Sequence, residues 1–217
     1  AIATISQAAG EDEAITVHPL ETKYPQGGEK QLINAITGKE VPSGNIPTSV
    51  GVIVLNVATA FAVYRAVVQS IPLIEKVITI AGYGNYRVAL GMLLSDMPID
   101  TSACLLAEAD VIIGGPMMGK STPSLSAPIE KGTSGVTVVA PLPFNPEPCI
   151  RCGECVRACP MGLQPYLIST LSRLGKTTEA VAEGARDCIE CGSCNYSCPS
   201  GRPIVDYIRL AKKSEKR

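Results

Sequence analysis

One twelve-residue pattern is written twice in this chain. "CIRCGECVRACP" runs from Cys149 to Pro160 and "CIECGSCNYSCP" from Cys188 to Pro199, an offset of 39 positions (188 − 149). Seven of the twelve letters are identical, and every cysteine is among them. Each copy reads C-x2-C-x2-C-x3-C-P, so eight of the nine cysteines fall within 50 residues. His18 is the one histidine of the 217 residues. A zinc finger of two cysteines and two histidines is therefore excluded from the cysteine region. A Ser/His/Asp triad or a Cys/His dyad has only His18 to draw on.

Three cysteines at x2 spacing, with a fourth followed by proline, are the run that binds a [4Fe–4S] cluster. Three thiolates spaced this way wrap one face of a cubane. Gly153 and Gly192 let the backbone turn tightly there, and Pro160 and Pro199 redirect the chain. In two-cluster proteins of this type the fourth cysteine ligates the other cluster. The expected sets are therefore Cys149, Cys152, Cys155 and Cys198 on one cluster, and Cys188, Cys191, Cys194 and Cys159 on the other. Zinc held by four cysteines usually takes two CxxC pairs and fits this spacing poorly. Disulfides need an oxidising compartment, which nothing in the sequence suggests.

The formal net charge of -1 gives no electrostatic case for a nucleic-acid partner. No apolar run reaches the roughly 18 residues of a membrane span; "VGVIVLNVATAFAV" (Val50 to Val63) is broken by Asn56 and Thr59. The chain opens at Ala1 with no signal-peptide pattern and no initiator Met. It is expected to be a piece of a longer polypeptide.

Residues 1–28 read as irregular. A short helix is expected over Glu29 to Gly38, with Gly38 as its stop, then a loop over Val41 to Pro47. The β-branched "SVGVIVLNV" (Ser49 to Val57) reads as a buried strand, and Ala58 to Ser70 as a helix. Strands are expected at Leu73 to Gly82, at "NYRVALGM", from Asp110 into the Gly-rich turn ending at Gly119, and over Ser134 to Pro141. A short helix is expected over Asp100 to Ala109. "PLPFNPEP" (Pro141 to Pro148), with four prolines in eight residues, reads as the boundary before the cysteine region. Beyond it, helices are expected over Pro165 to Gly175, Thr177 to Asp187 and Pro203 to Lys213, and the whole stretch from Met161 to Asp187 looks helical. Leu163, Tyr166, Leu167, Leu171, Leu174 and Val181 are expected to cover the clusters.

Elsewhere the signals are weaker. Cys104 reads as a small buried hydrophobe and His18 as a surface or capping residue. Gly27-Gly28 before a helix can cradle phosphate, but a lone Gly pair also makes an ordinary loop. "GGPMMG" (Gly114 to Gly119) lacks the Lys-Ser/Thr of a P-loop and reads as a structural turn or docking loop. The tail "KKSEKR" reads as a solvated, frayed end.

Taken together, "KYPQGGEKQLINAITGKEVPSG" (Lys23 to Gly44), "GVIVLNVATAFAVYRAVV" (Gly51 to Val68), "GGPMMG" and the paired cysteine runs resemble the C subunits of the Rnf family of electron-transport complexes. The propanediol-utilisation cobalamin reductases have a similar layout. The resemblance implies an α+β/α/β chain in three parts: residues 1–72 from a flavin- and NADH-binding domain, residues 73–140 a β-grasp domain, and residues 141–217 an α-helical ferredoxin-like two-cluster domain. In the related flavin subunit of complex I, a Tyr-x-x-Gly-Glu-Glu stretch and a Val-Asn-Asn-Val-x-Thr stretch line the FMN site. Tyr24, Gly27, Glu29, Asn56 and Thr59 match them, whereas Gly28 and Leu55 depart. The family's upstream Gly-rich nucleotide segment is not in this sequence, so either the polypeptide is longer, which is the expectation, or this copy cannot bind FMN and NADH alone.

The function implied is an electron-transfer subunit of an NADH:ferredoxin oxidoreductase. Its cofactors would be two [4Fe–4S] clusters and FMN, with NADH as substrate. Its partners would be the other subunits of a membrane complex that moves ions, and ferredoxin indirectly. It would lie on the cytoplasmic side of the inner or plasma membrane with no span of its own. Two other readings stand beside it: cobalamin reduction, and a non-catalytic relay module docking to a separate flavoprotein.

Overall fold

Residues 2–99, 109–140 and 144–214 are described by the structure, a computed structural model. The expected helix over Asp100 to Ala109, with Cys104 in it, lies outside them except for Ala109. The chain divides into two compact units, Ala1–Val54 and Leu55–Arg217.

The first unit holds α1 (Ile2–Ala9) and α2 (Glu29–Thr37). α1 corrects the irregular reading of residues 1–28. "IATISQAA" contains strong helix formers, but the helix buries none of its residues, so no core-facing stripe marks it. α2 stops where expected. Gly38 turns left-handed at φ 68°, and its N–H bonds to the Asn34 carbonyl. Ile33 is its buried anchor. The strand expected at Ser49 to Val57 does not form. Pro47–Val50 make one 3₁₀ turn, closed by Gly51 at φ 76°, and residues 51–56 join no described strand.

The second unit begins with α3 (Val57–Val68). Asn56 caps it, its Oδ1 accepting from the Ala58 N–H at 2.9 Å. Arg65 ties the helix to the sheet through Glu75, at 2.9 Å.

Five strands follow: β1 (Glu75–Ile80), β2 (Gly84–Ala89), β3 (Asp110–Ile113), β4 (Lys120–Thr122) and β5 (Gly135–Val139). Their order in the sheet is β2-β1-β5-β3-β4. β1 and β5 run parallel and every other pair antiparallel, so the sheet is mixed. Alternation along β1 turns Ile78 and Ile80 inward and Val77 outward. They join Val88, Leu94, Met97, Val111, Ile129 and Val136 in one core. β4 is short and polar, which is why no apolar alternation announced it.

Among its described residues the regular elements of the cysteine region are helices: α4 (Glu154–Arg157), α5 (Pro165–Arg173), α6 (Thr177–Ala182), α7 (Ser193–Tyr196) and α8 (Ile204–Ser214). Pro165 opens α5. The stretch from Met161 to Asp187 is two helices and a 3₁₀ turn (Ala185–Asp187), not one helical run, because Gly162, Gly175 and Gly184 all take positive φ. A second core forms here from Ile168, Ala180, Ala185, Ile204, Val205, Ile208 and Ala211 with Cys155 and Cys194. Leu163, Tyr166, Leu171 and Val181 pack against it and Leu167 is half-buried. Leu174 is 61% exposed, contrary to expectation, because it lies past the end of α5.

Candidate metal centre

The repeat in letters is also a repeat in backbone. The third residue of each run, Arg151 and Glu190, has φ 58°. The fifth, Gly153 at φ 80° and Gly192 at φ 82°, starts the single helical turns α4 and α7. Val156 and Asn195 donate to the glycine carbonyls, each at 2.9 Å. Gly162 and Gly201 donate to the carbonyls of the fourth cysteines at 3.2 and 3.1 Å. A left-handed Arg or Glu is disfavoured by about 1–2 kcal/mol, so holding one at the same place twice points to a purpose. Left-handed residues in turns gather N–H groups on one side, a concavity suited to anions.

The cysteines are brought together across the two runs. One pocket is lined by Cys188, Cys191 and Cys194 of the second run and by Cys159 of the first. Pro160, Leu163, Val205 and Ile208 supply apolar walls. Burial pushes the Cys194 thiol up to about 12, helped by its neighbours Cys188, Cys191 and Cys159. Burial likewise raises Cys155, whose electrostatic neighbours are Cys198, Cys149 and Cys152. Cys188 is raised by burial and eased by the Glu190 N–H, which donates to its Sγ at 3.4 Å. Each trio thus has the other run's fourth cysteine beside it. Among the described residues no three His, Cys, Asp or Glu side chains converge on a single ion. A cubane asks instead for four thiolates around a cage, one per iron, and the four-thiol pocket fits that need.

The two ends differ in exposure. Cys149 and Cys152 are exposed, whereas Cys191 and Cys194 are buried. The second run is held down from two sides. Glu190 accepts from Lys212 at 2.6 Å and from Arg209 at 2.9 Å, and Lys212 also donates to the Cys188 carbonyl at 3.0 Å. Burial pushes the Glu190 carboxyl up, but these cations outweigh it and hold it below the usual carboxylate range. Lys212 therefore corrects the reading of "KKSEKR" as a solvated tail. On the other side, the "GGPMMG" turn reaches the run: a Cβ on Gly192 would lie 2.7 Å from the Met117 carbonyl oxygen. Only the spacing of Asp206, Arg209 and Lys212 along one helical face could have hinted at this network. Nothing local could have hinted at Met117.

The flavin-type residues fall in both units. In the first, Lys23 to Gly28 form a turn, with the Gly28 N–H bonded to the Pro25 carbonyl at 2.9 Å, and Glu29 begins α2. Tyr24 is half exposed, and Gly27 has open space around it. Gly28, which departs from the pattern, is crowded, with Gln31 Oε1 2.5 Å from where a Cβ would sit. In the second unit Asn56 is occupied as the α3 cap and Thr59 is exposed in its first turn. His18 is exposed, as expected.

Comparison with known proteins defines the class first. Residues 148–202 match the family model of the 4Fe-4S dicluster domain, and residues 1–65 match the Nuo51 FMN-binding domain. The chain is also 46% identical, over 94% of its length, to the C subunit of the proton-translocating ferredoxin:NAD(+) oxidoreductase complex of Clostridium ljungdahlii. It is 41% identical over 98% of its length to the Na(+)-translocating counterpart of Acetobacterium woodii, and 41% identical, also over 98%, to the C subunit of the ion-translocating oxidoreductase complex of Erwinia tasmaniensis. Over nearly its whole length the chain is thus similar to the C subunits of ion-translocating oxidoreductase complexes. It spans about half the length of the first two relatives, 47% and 50%, and 28% of the third.

Proposed function

We propose that this chain is an electron-transfer part of an Rnf-type NADH:ferredoxin oxidoreductase. Cys149, Cys152, Cys155 and Cys198 hold one [4Fe–4S] cluster; Cys188, Cys191, Cys194 and Cys159 hold the other. The observation that carries this reading is the single pocket in which Cys159 stands among Cys188, Cys191 and Cys194. Bound there, such clusters pass single electrons between a flavin oxidising NADH and partner subunits. The chain's own residues do the rest. They supply thiolates, aim backbone N–H groups at sulfur and exclude water with the walls named above. Tyr24, Gly27 and Glu29 in the first unit, and Asn56 and Thr59 in the second, are the residues this reading assigns to FMN binding.

The three-part division at residues 72 and 140 is part of this reading. The order β2-β1-β5-β3-β4, with β1 and β5 parallel, supports a β-grasp domain. Helices α4 to α8, with no strand among the described residues of that region, support an α-helical ferredoxin domain. Among the described residues no helix is long and apolar enough to cross a membrane. A peripheral seat on the cytoplasmic side, beside membrane subunits that move ions, completes the proposal.

Iron and sulfide analysis with EPR tests the core of it. About eight irons per chain and two interacting [4Fe–4S] signals are expected. Zinc, or half that iron in a fully loaded sample, sinks the assignment. Cys198→Ala is expected to damage the cluster of the first run; damage confined to the second run's cluster refutes the exchange of ligands.

A further inference from the structure

One buried guanidinium nitrogen has no assigned task. Arg202 Nη1 is sealed from solvent, and no hydrogen-bond acceptor reaches it in the structure. A buried donor left unmade is disfavoured, more so when charged, so an Arg does not sit this way without something to receive the N–H.

Its place in the repeat says what that is. The backbone of the two runs is equivalent at the 39-residue offset, down to the left-handed Gly162 and Gly201 that follow the fourth cysteines. At that offset Arg202 corresponds to Leu163 (202 − 39). Leu163 lines the pocket of Cys159, Cys188, Cys191 and Cys194. Arg202 therefore holds the wall position of the other thiol set, four residues after Cys198. The chain beside it is tied to the start of the first run, where the Glu147 N–H donates to the Ser200 carbonyl at 2.9 Å. Cys198, in turn, is an electrostatic neighbour of Cys155.

We infer that Arg202 is a positioning and tuning residue of the first cluster: its Nη1 donates a charge-assisted hydrogen bond toward the cluster held by Cys149, Cys152, Cys155 and Cys198. The second cluster has Leu163 in that place and receives no such bond. The inference rests on the cluster reading above. Accepting an electron makes a cluster more negative, and a fixed cation beside it favours that form. Arg202 thus raises the potential of the first cluster alone.

The test is an EPR-monitored redox titration of the full, iron-loaded chain, with Cys155→Ala used to identify the first cluster's signal. In Arg202→Met the first cluster's midpoint is expected to fall. A tenfold drop in its reduced-to-oxidised ratio at fixed potential corresponds to about 59 mV for one electron. The second midpoint stays put, and Arg202→Lys restores most of the difference. Should the Met variant fail to load iron, Arg202→Gln replaces it, with a smaller fall expected. An unchanged first midpoint, or equal shifts in both clusters, overturns the inference while the cluster reading stands. A wild-type chain that takes up no iron overturns the reading beneath it.

Discussion

Gly153 and Gly192 hold the same rung of the repeat, yet a methyl group would meet different surroundings at each. At Gly153 the nearest atom would be Arg157 Nη1, 3.5 Å away at the end of a flexible side chain. At Gly192 it would be the Met117 carbonyl oxygen, at 2.7 Å, which is backbone and cannot swing aside. Both substitutions force an alanine to a left-handed φ, at about 1–2 kcal/mol. Gly192→Ala adds overpacking of about 1–3 kcal/mol and is expected to weaken the second cluster's EPR signal selectively. Denaturant unfolding of the two loaded variants measures the difference; equal losses would remove Met117 from the account. The left-handed glycines were legible from the cysteine spacing alone, because the motif itself dictates the turn. The Met117 contact was not, since 75 residues (192 − 117) separate the partners and no local pattern encodes such a meeting.

At the scale of elements, α8 does more than close the chain. Ile204, Val205, Ile208 and Ala211 face the core, and Lys212 and Arg209 pin Glu190 of the second run. Lys212→Met removes a half-buried ion pair and the donor to the Cys188 carbonyl. A loss of about 1–2 kcal/mol in urea unfolding is expected, discounted for partial exposure. Its exposed neighbour serves as control: Lys213→Met is expected within about 0.5 kcal/mol of wild type. Similar losses for both would return the segment to a solvated tail. Elements with their own periodicity and stops were readable, as α2 with Gly38 and α5 with Pro165 and Gly175 demonstrate. Ser49 to Val57 misled because β-branched content marks a strand only if another strand is there to pair with it. Gly51 ends a 3₁₀ turn instead, leaving Ile53 and Leu55 exposed.

At the scale of the whole molecule, the second unit carries two separate cores, one under the sheet and one among the helices of the cysteine region. Ile80 and Ile208 are each 1% exposed, one in each core. Ile80→Ala and Ile208→Ala are both expected to lose about 2–5 kcal/mol. Only Ile208→Ala is expected to lower iron content, because Ile208 also lines the thiol pocket. Calorimetry with iron analysis separates them, and equal loss of iron would mean that the sheet and the cluster region unfold as one. The change from strands to helices along the chain was legible because apolar alternation gives way to cysteine spacing after the proline-rich stretch. The sheet's order was not, since pairing of β1 with β5 joins segments more than 50 residues apart.

The proposed crossing of the fourth cysteines would also set a schedule. On the ribosome Cys159 emerges 39 residues ahead of Cys198 (198 − 159). At roughly 5–20 residues per second that is a wait of about 2–8 s. Throughout it the first trio would have no fourth ligand, and until Cys194 is made, four residues before Cys198, Cys159 would have no complete second trio to join. Neither cage could then be closed before Cys194 is made, so metal delivered earlier would meet only open sites. On that reading the two centres would gain their last ligands four residues apart, at Cys194 and Cys198, and loss of either fourth cysteine, Cys159 or Cys198, would leave its defect in the half of the repeat that did not supply it.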